Sequence, residues 1–169
     1  LSLFSPCINA GDPYYVPEPN ETDLDGSGRV MGGRIDMGAF ESEHIQARLR
    51  LYPQTINRQS RIKNLIACMH LREGITKDQI DEDKPLLLYP GPLEPISKYI
   101  FEHGQTGRKR TYVLACYDKA ELLTAVPDNG PVDVKVVGFL KNSQQFYGSD
   151  LVTILDRQKP PKWRLLKNQ

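Results

Sequence analysis

Cysteine is scarce in this chain and odd in number. Cys7, Cys68 and Cys116 show no CxxC spacing, so the sequence carries neither a zinc motif nor a thioredoxin-like redox pair. At most one disulfide can form. Cys68 and Cys116 lie within apolar runs, and free cysteine is commonly buried, so all three are expected as small core residues. Long apolar runs are also missing. No stretch approaches the roughly 18 residues of a membrane-spanning helix, and no signal peptide is found within the sequence, whose abrupt start at Leu1 reads as that of a fragment. Nor is charge of either sign in excess: a formal net charge of +1 creates no global field toward nucleic acid or a membrane surface. His44, His70 and His103 are too scattered for metal-ligand spacing.

Glycine and proline are plentiful, thirteen each in 169 residues. That balance favours a turn-rich, all-β protein over a helical one. Their density peaks in residues 5–41. Asn9-Ala10-Gly11-Asp12-Pro13 reads as a turn, and Pro13, Pro17 and Pro19 make the next segment a loop. Asp23-Leu24-Asp25-Gly26-Ser27-Gly28 reads as a tight turn between extended arms. Val30, Ile35, Met37 and Ala39 alternate with polar or glycine residues, as in a short strand.

A polar connector at 42–48 marks a boundary, after which strands separated by turns suggest an antiparallel sandwich. Leu49 and Leu51 share one face. Leu65, Ala67, Met69 and Leu71 follow with period two. Leu86-Leu87-Leu88-Tyr89 ends at Pro90-Gly91-Pro92, and residues 97–101 read as a further strand. Residues 111–117 alternate Tyr112, Leu114 and Cys116 against Val113, Ala115 and Tyr117. Asp118 is expected to cap a helical turn, and Val132–Val136 opens a closing hairpin that returns through Phe146 and residues 151–155. The organisation expected is 1–44, 45–157 as a sandwich, and a basic tail at 158–169.

The candidate chemistry is sparse. Glu21-x-Asp23-x-Asp25-Gly26 mimics the start of a calcium loop, because acidic residues at alternate positions can converge on one cation. Its far end has Gly32 where such a loop needs a bidentate carboxylate, and turn formation explains Asp23 and Asp25 without metal. Calcium is therefore the one cofactor the sequence offers. Polysaccharide cleavage would draw on Asp12, Asp23, Asp36 and Glu41, but each sits beside turn residues and non-catalytic use is expected. Arg157, Lys159, Lys162, Trp163 and Arg164 suit docking on an acidic protein neighbour; one tryptophan is too little for nucleic-acid stacking. Tyr52, Tyr89, Tyr99, Tyr112 and Tyr147 are candidates for a carbohydrate platform.

Two stretches also carry resemblances. Ser5-Pro6-Cys7-Ile8-Asn9-Ala10-Gly11-Asp12-Pro13, Thr22-Asp23-Leu24-Asp25-Gly26 and Arg34-Ile35-Asp36-Met37-Gly38-Ala39-Phe40-Glu41 resemble the closing coil of secreted right-handed parallel β-helix proteins. That resemblance implies an extracellular, cell-surface or periplasm-like setting. It also implies that missing N-terminal coils or another chain stack on this segment, since a lone coil cannot bury its own face. Residues 49–155, through Tyr52–Arg61, Tyr117-Asp118-Lys119, Val132–Gly138 and Phe146–Asp150, resemble an immunoglobulin-like β-sandwich found at the C-termini of large extracellular proteins of planctomycete-type and archaeal sources. Together they imply a structural, anchoring or assembly module, and the basic tail favours an accessory subunit of a larger complex. A carbohydrate-binding module attached to a polysaccharide-degrading enzyme is the alternative.

Overall fold

The computed structural model describes residues 5–31, 34–42, 44–105 and 109–156. The basic tail, with Arg157, Lys159, Lys162, Trp163 and Arg164, lies outside the described residues.

The elements run β1 (Ile45–Gln46), β2 (Arg48–Tyr52), β3 (Thr55–Asn57), β4 (Asn64–His70), a 3-10 turn (Lys77–Gln79), β5 (Leu87–Tyr89), β6 (Ser97–His103), β7 (Arg110–Asp118), α1 (Lys119–Ala125), β8 (Gly130–Phe139) and β9 (Gln145–Leu155). They form two sheets. One has the order β1-β9-β8-β5, with β3 also paired to β9; the other is β2-β4-β7-β6. All pairings are antiparallel except those of β1 and β3 with β9.

Period-two patterning explains the core. Leu65, Ala67 and Met69 of β4 and Val113, Ala115 and Tyr117 of β7 are buried, and they meet Val134, Val136, Phe146 and Ile154 from the facing sheet. Each large aliphatic side chain so buried contributes about 1.5–3 kcal/mol. The Tyr117 hydroxyl keeps a partner inside by donating to the Leu86 carbonyl at 2.8 Å, because an unpaired buried hydroxyl would be costly.

Between β1 and β3 the chain leaves one sheet, runs as β2 in the other, and returns. Asp150 pins this crossing. Its carboxylate accepts the Leu51 amide at 2.8 Å and the Gln54 side-chain amide at 2.5 Å. Gly148 permits it, since a Cβ there would stand 2.7 Å from the Leu49 Cβ.

At the far end, Asp118 caps α1 by accepting the Ala120 amide at 2.6 Å. Lys119 is buried, and its ammonium donates to the Ser60 carbonyl at 2.8 Å and the Asn57 carbonyl at 3.2 Å. Arg58 reaches the other way, donating to the Val126, Pro127 and Asp128 carbonyls at 2.7–2.9 Å. The two cations thereby tie the β3 exit to both ends of α1.

Three sequence expectations need correction. The described residues in 30–42 form bends, with no strand: Ile35 is buried while Met37 is 56% exposed, so alternation there does not build a ladder. Residues 54–61, which read from the sequence as a turn-rich crossing, hold β3, and the closing strand is continuous from Gln145 to Leu155. Finally, Cys7, Cys68 and Cys116 are free and only partly buried. The two in strands, Cys68 and Cys116, occupy outward positions, because the period of the strand and not the apolar character of the neighbours sets the face.

Candidate functional site

Residues 5–42 are held by carboxylates. Asp23 accepts the amides of Asp25 and Ser27 through Oδ1, at 2.9 and 2.8 Å, and the amide of Glu41 through Oδ2 at 2.9 Å. Asp36 accepts the Asn9 amide at 2.5 Å and the Ser42 amide at 2.7 Å. Glu41 accepts the Asp36 amide and pairs with Arg29 at 3.1 Å. The three acids form a relay that draws residues 9, 23, 36 and 41 together, while Gly11 lies so close to Ile35 that a Cβ would stand 2.5 Å from its side chain.

This wiring sets the acids' behaviour. The Glu41 amide, followed by those of Ser27 and Asp25, holds the Asp23 carboxyl below its ordinary range. Burial pushes the Glu41 carboxyl up, against the pull of the Asp36 amide and Arg29. As for calcium, both Asp23 oxygens face backbone donors, and Asp25 is exposed. Among the described residues no group of three or more His, Cys, Asp or Glu is placed to hold a metal ion. Asp12 accepts the Tyr14 amide at an exposed turn, apart from the relay.

The segment covers part of one sheet. On the outer side of β9, Tyr147 is only 6% exposed; the His44 ring meets it edge-on at 6.4 Å. Burial pushes the Tyr147 phenol up, and the nearby Asp36 charge adds to that. Its cross-strand neighbour Val137 is buried as well.

The other sheet is different. Register aligns three rows on its outer face: Arg48, His70, Tyr112, Phe101; Arg50, Cys68, Leu114, Tyr99; and Tyr52, Ile66, Cys116, Ser97. Tyr99 is 67% exposed, Tyr52 52% and Ile66 40%. Four rings pack as a ladder. His70 and Tyr112 are 4.8 Å apart and 13° from parallel, Tyr112 and Phe101 5.3 Å and 14°, Phe101 and Tyr99 5.6 Å and 25°. Rings so stacked cover one another's faces and turn their electropositive edges outward.

The ladder's His70 end opens into a shallow concavity of about 600 Å³ whose walls include Arg48, His70, Arg72, Glu73 and Arg110. Partial burial, then the charges of Arg110 and Arg48, hold His70 below its ordinary 6.5. Among the described residues, Arg48, Arg72 and Arg110 pair with no carboxylate, whereas Arg50 lies 3.6 Å from Asp150.

Of the five tyrosines read as a carbohydrate platform, Tyr52, Tyr99 and Tyr112 share this face. Tyr147 is buried on the other sheet, and Tyr89 lies opposite Lys135 in β5. Sequence reading missed His70, Phe101 and the arginines beside them. Each stands at an outward period-two position, but only strand register makes them neighbours. No family model, curated protein or solved structure matches this chain.

Proposed function

We propose that this chain is a non-catalytic assembly or anchoring module of a secreted or cell-surface protein. It meets another protein chain through the outer face of the β2-β4-β7-β6 sheet. The observation that carries this is the bare aromatic face: the N-terminal segment covers Tyr147 on one sheet, while Tyr52, Ile66 and Tyr99 stay exposed on the other. Contiguous apolar surface of this kind marks interaction sites.

The strand order supports an immunoglobulin-like sandwich, with β2-β4-β7-β6 in the place of A-B-E-D and β5-β8-β9 in the place of C-F-G. The likeness of residues 5–41 to a closing β-helix coil supports the extracellular placement. The backbone-bonded state of Asp23, Asp36 and Glu41 supports a structural use of these acids.

A photo-crosslinking residue at Tyr99, introduced into the protein in its source cells, is expected to capture one discrete protein species. The same residue at exposed Asp133 on the other sheet should not. Equal labelling from both positions, or none from Tyr99, would dismiss the reading. Carbohydrate binding is the second reading, favoured by Tyr52, Tyr99 and Tyr112 sharing one face; retention on a polysaccharide resin that Tyr99→Ala abolishes would select it.

A further inference from the structure

We infer that the partner presents an acidic segment to this face, its carboxylates entering the concavity between Arg48, His70, Arg72 and Arg110 while its apolar side chains lie on Ile66, Leu114 and Tyr99. The inference rests on the docking reading above and adds the partner's chemistry.

Charge complementarity carries it. Arg48 heads the row that holds His70 and Tyr112, and Arg110 stands two residues before Tyr112 on the same face of β7, close enough that both depress the protonation of His70. Neither these two nor Arg72 has a carboxylate partner among the described residues, so their charge is available to an incoming group. Among the described residues, Glu73 is the one acid on the concavity's wall. The ladder reinforces the same sign, since His70, Tyr112 and Phe101 present ring edges, and edges carry the positive end of the aromatic quadrupole.

The same packing argues for peptide over sugar or nucleobase. Tyr112 and Phe101 have rings against both faces, so sugar or base stacking is available only at the ladder's ends. Apolar side chains need no exposed ring face. Guanidinium groups bind carboxylates bidentately, and their steering of an acidic partner weakens with salt.

The test titrates the full 169-residue chain with a synthetic peptide of alternating Glu and Leu and with its Gln-for-Glu counterpart, following backbone amide shifts. The acidic peptide should move the amides of Arg48, His70, Arg110 and Tyr112 and bind at least about tenfold tighter than the neutral one. Arg48→Gln with Arg110→Gln should remove that advantage. Both arginines are exposed, and the variant's strand amide shifts check that it folds. Equal binding of the two peptides on this face would overturn the acidic partner and leave the docking face standing. Failure of both peptides would overturn both readings. Tighter binding of polygalacturonate or oligo-dT at the same residues would overturn the peptide in favour of that polyanion.

Discussion

Residues 5–42 and the two sheets solve the same problem by opposite means. In the described part of the N-terminal segment, Ile35 is the buried hydrophobe, and it shares the interior with Asp23, Asp36, Glu41 and Ser42. The sheets and the α1 turn between them bury Leu, Ile, Val, Phe and Tyr side chains almost to the exclusion of charge, with Lys119 of α1 an exception. A glycine- and proline-rich segment has little apolar surface to hide, so its order depends on directional bonds to charged acceptors. A sandwich draws on non-directional burial, with hydrogen bonds fixing its crossings. The lesson is that acids in a turn-rich stretch can be its core.

The strongest way to sharpen this contrast is Phe146→Ala. Phe146 is fully buried over Gly138, and its loss should cost about 3–5 kcal/mol, read as a lower urea midpoint for the strands. A cost below about 1 kcal/mol would mean that the core is not where we place it.

Asp36→Ala probes the other region. It leaves the Asn9 and Ser42 amides without an acceptor, which should cost roughly 1–3 kcal/mol locally. Hydrogen exchange at residues 9 and 42 should speed up while that of β4 and β7 is unchanged; equal acceleration in the strands would merge the two regions into one cooperative unit. Lys119→Met tests the exception. It strips donors from the Asn57 and Ser60 carbonyls, and roughly 1–3 kcal/mol of destabilisation is expected in thermal unfolding.

Acid acts on two carboxylates of the N-terminal segment with opposite sign. Asp23 has a lowered folded value, so its contribution is present above its ordinary 3.8 and is lost as pH falls through the folded value beneath that. Glu41 is shifted upward, so its contribution is fully present below its ordinary 4.5 and is lost as pH rises through the folded value. Protection of the Asp25, Ser27 and Glu41 amides should therefore survive the protonation of Glu41 and fail only below 3.8. Loss well above that value would show that Glu41, not Asp23, controls the segment.

The smallest effect is expected on the bare face. Tyr99→Ala should change stability by no more than about 0.5 kcal/mol, because the ring is exposed and stacked on one side only. A larger loss in calorimetry would make the ladder part of the fold.

Much of the sandwich was legible because strand alternation reports burial directly. Leu65, Ala67 and Met69, or Val113, Ala115 and Tyr117, can face one way only if the chain is extended. The helical cap at Asp118 was legible for a similar reason: it acts within two residues. Reading failed where partners lie far apart. Asp36 draws its donors from Asn9 and Ser42, and the alternation of Ile35, Met37 and Ala39 imitates a strand but yields only isolated backbone bonds, to Gly11, Cys7 and Leu24 in turn, without a ladder. The outer face was half legible. Tyr52, Tyr99 and Tyr112 could be picked as aromatics, whereas their union with His70, Phe101 and Arg48 depends on register.

By itself, then, the sequence determined the all-β class, most strand positions and the turns, since these follow from period-two patterning and from residues that set φ locally. The tertiary structure decided which acids are buried acceptors, which cysteines face outward and which sheet keeps an open face. Those outcomes depend on what packs on the far side of each residue, and pairing across 27 residues, as between Asn9 and Asp36, leaves no periodic trace in the chain.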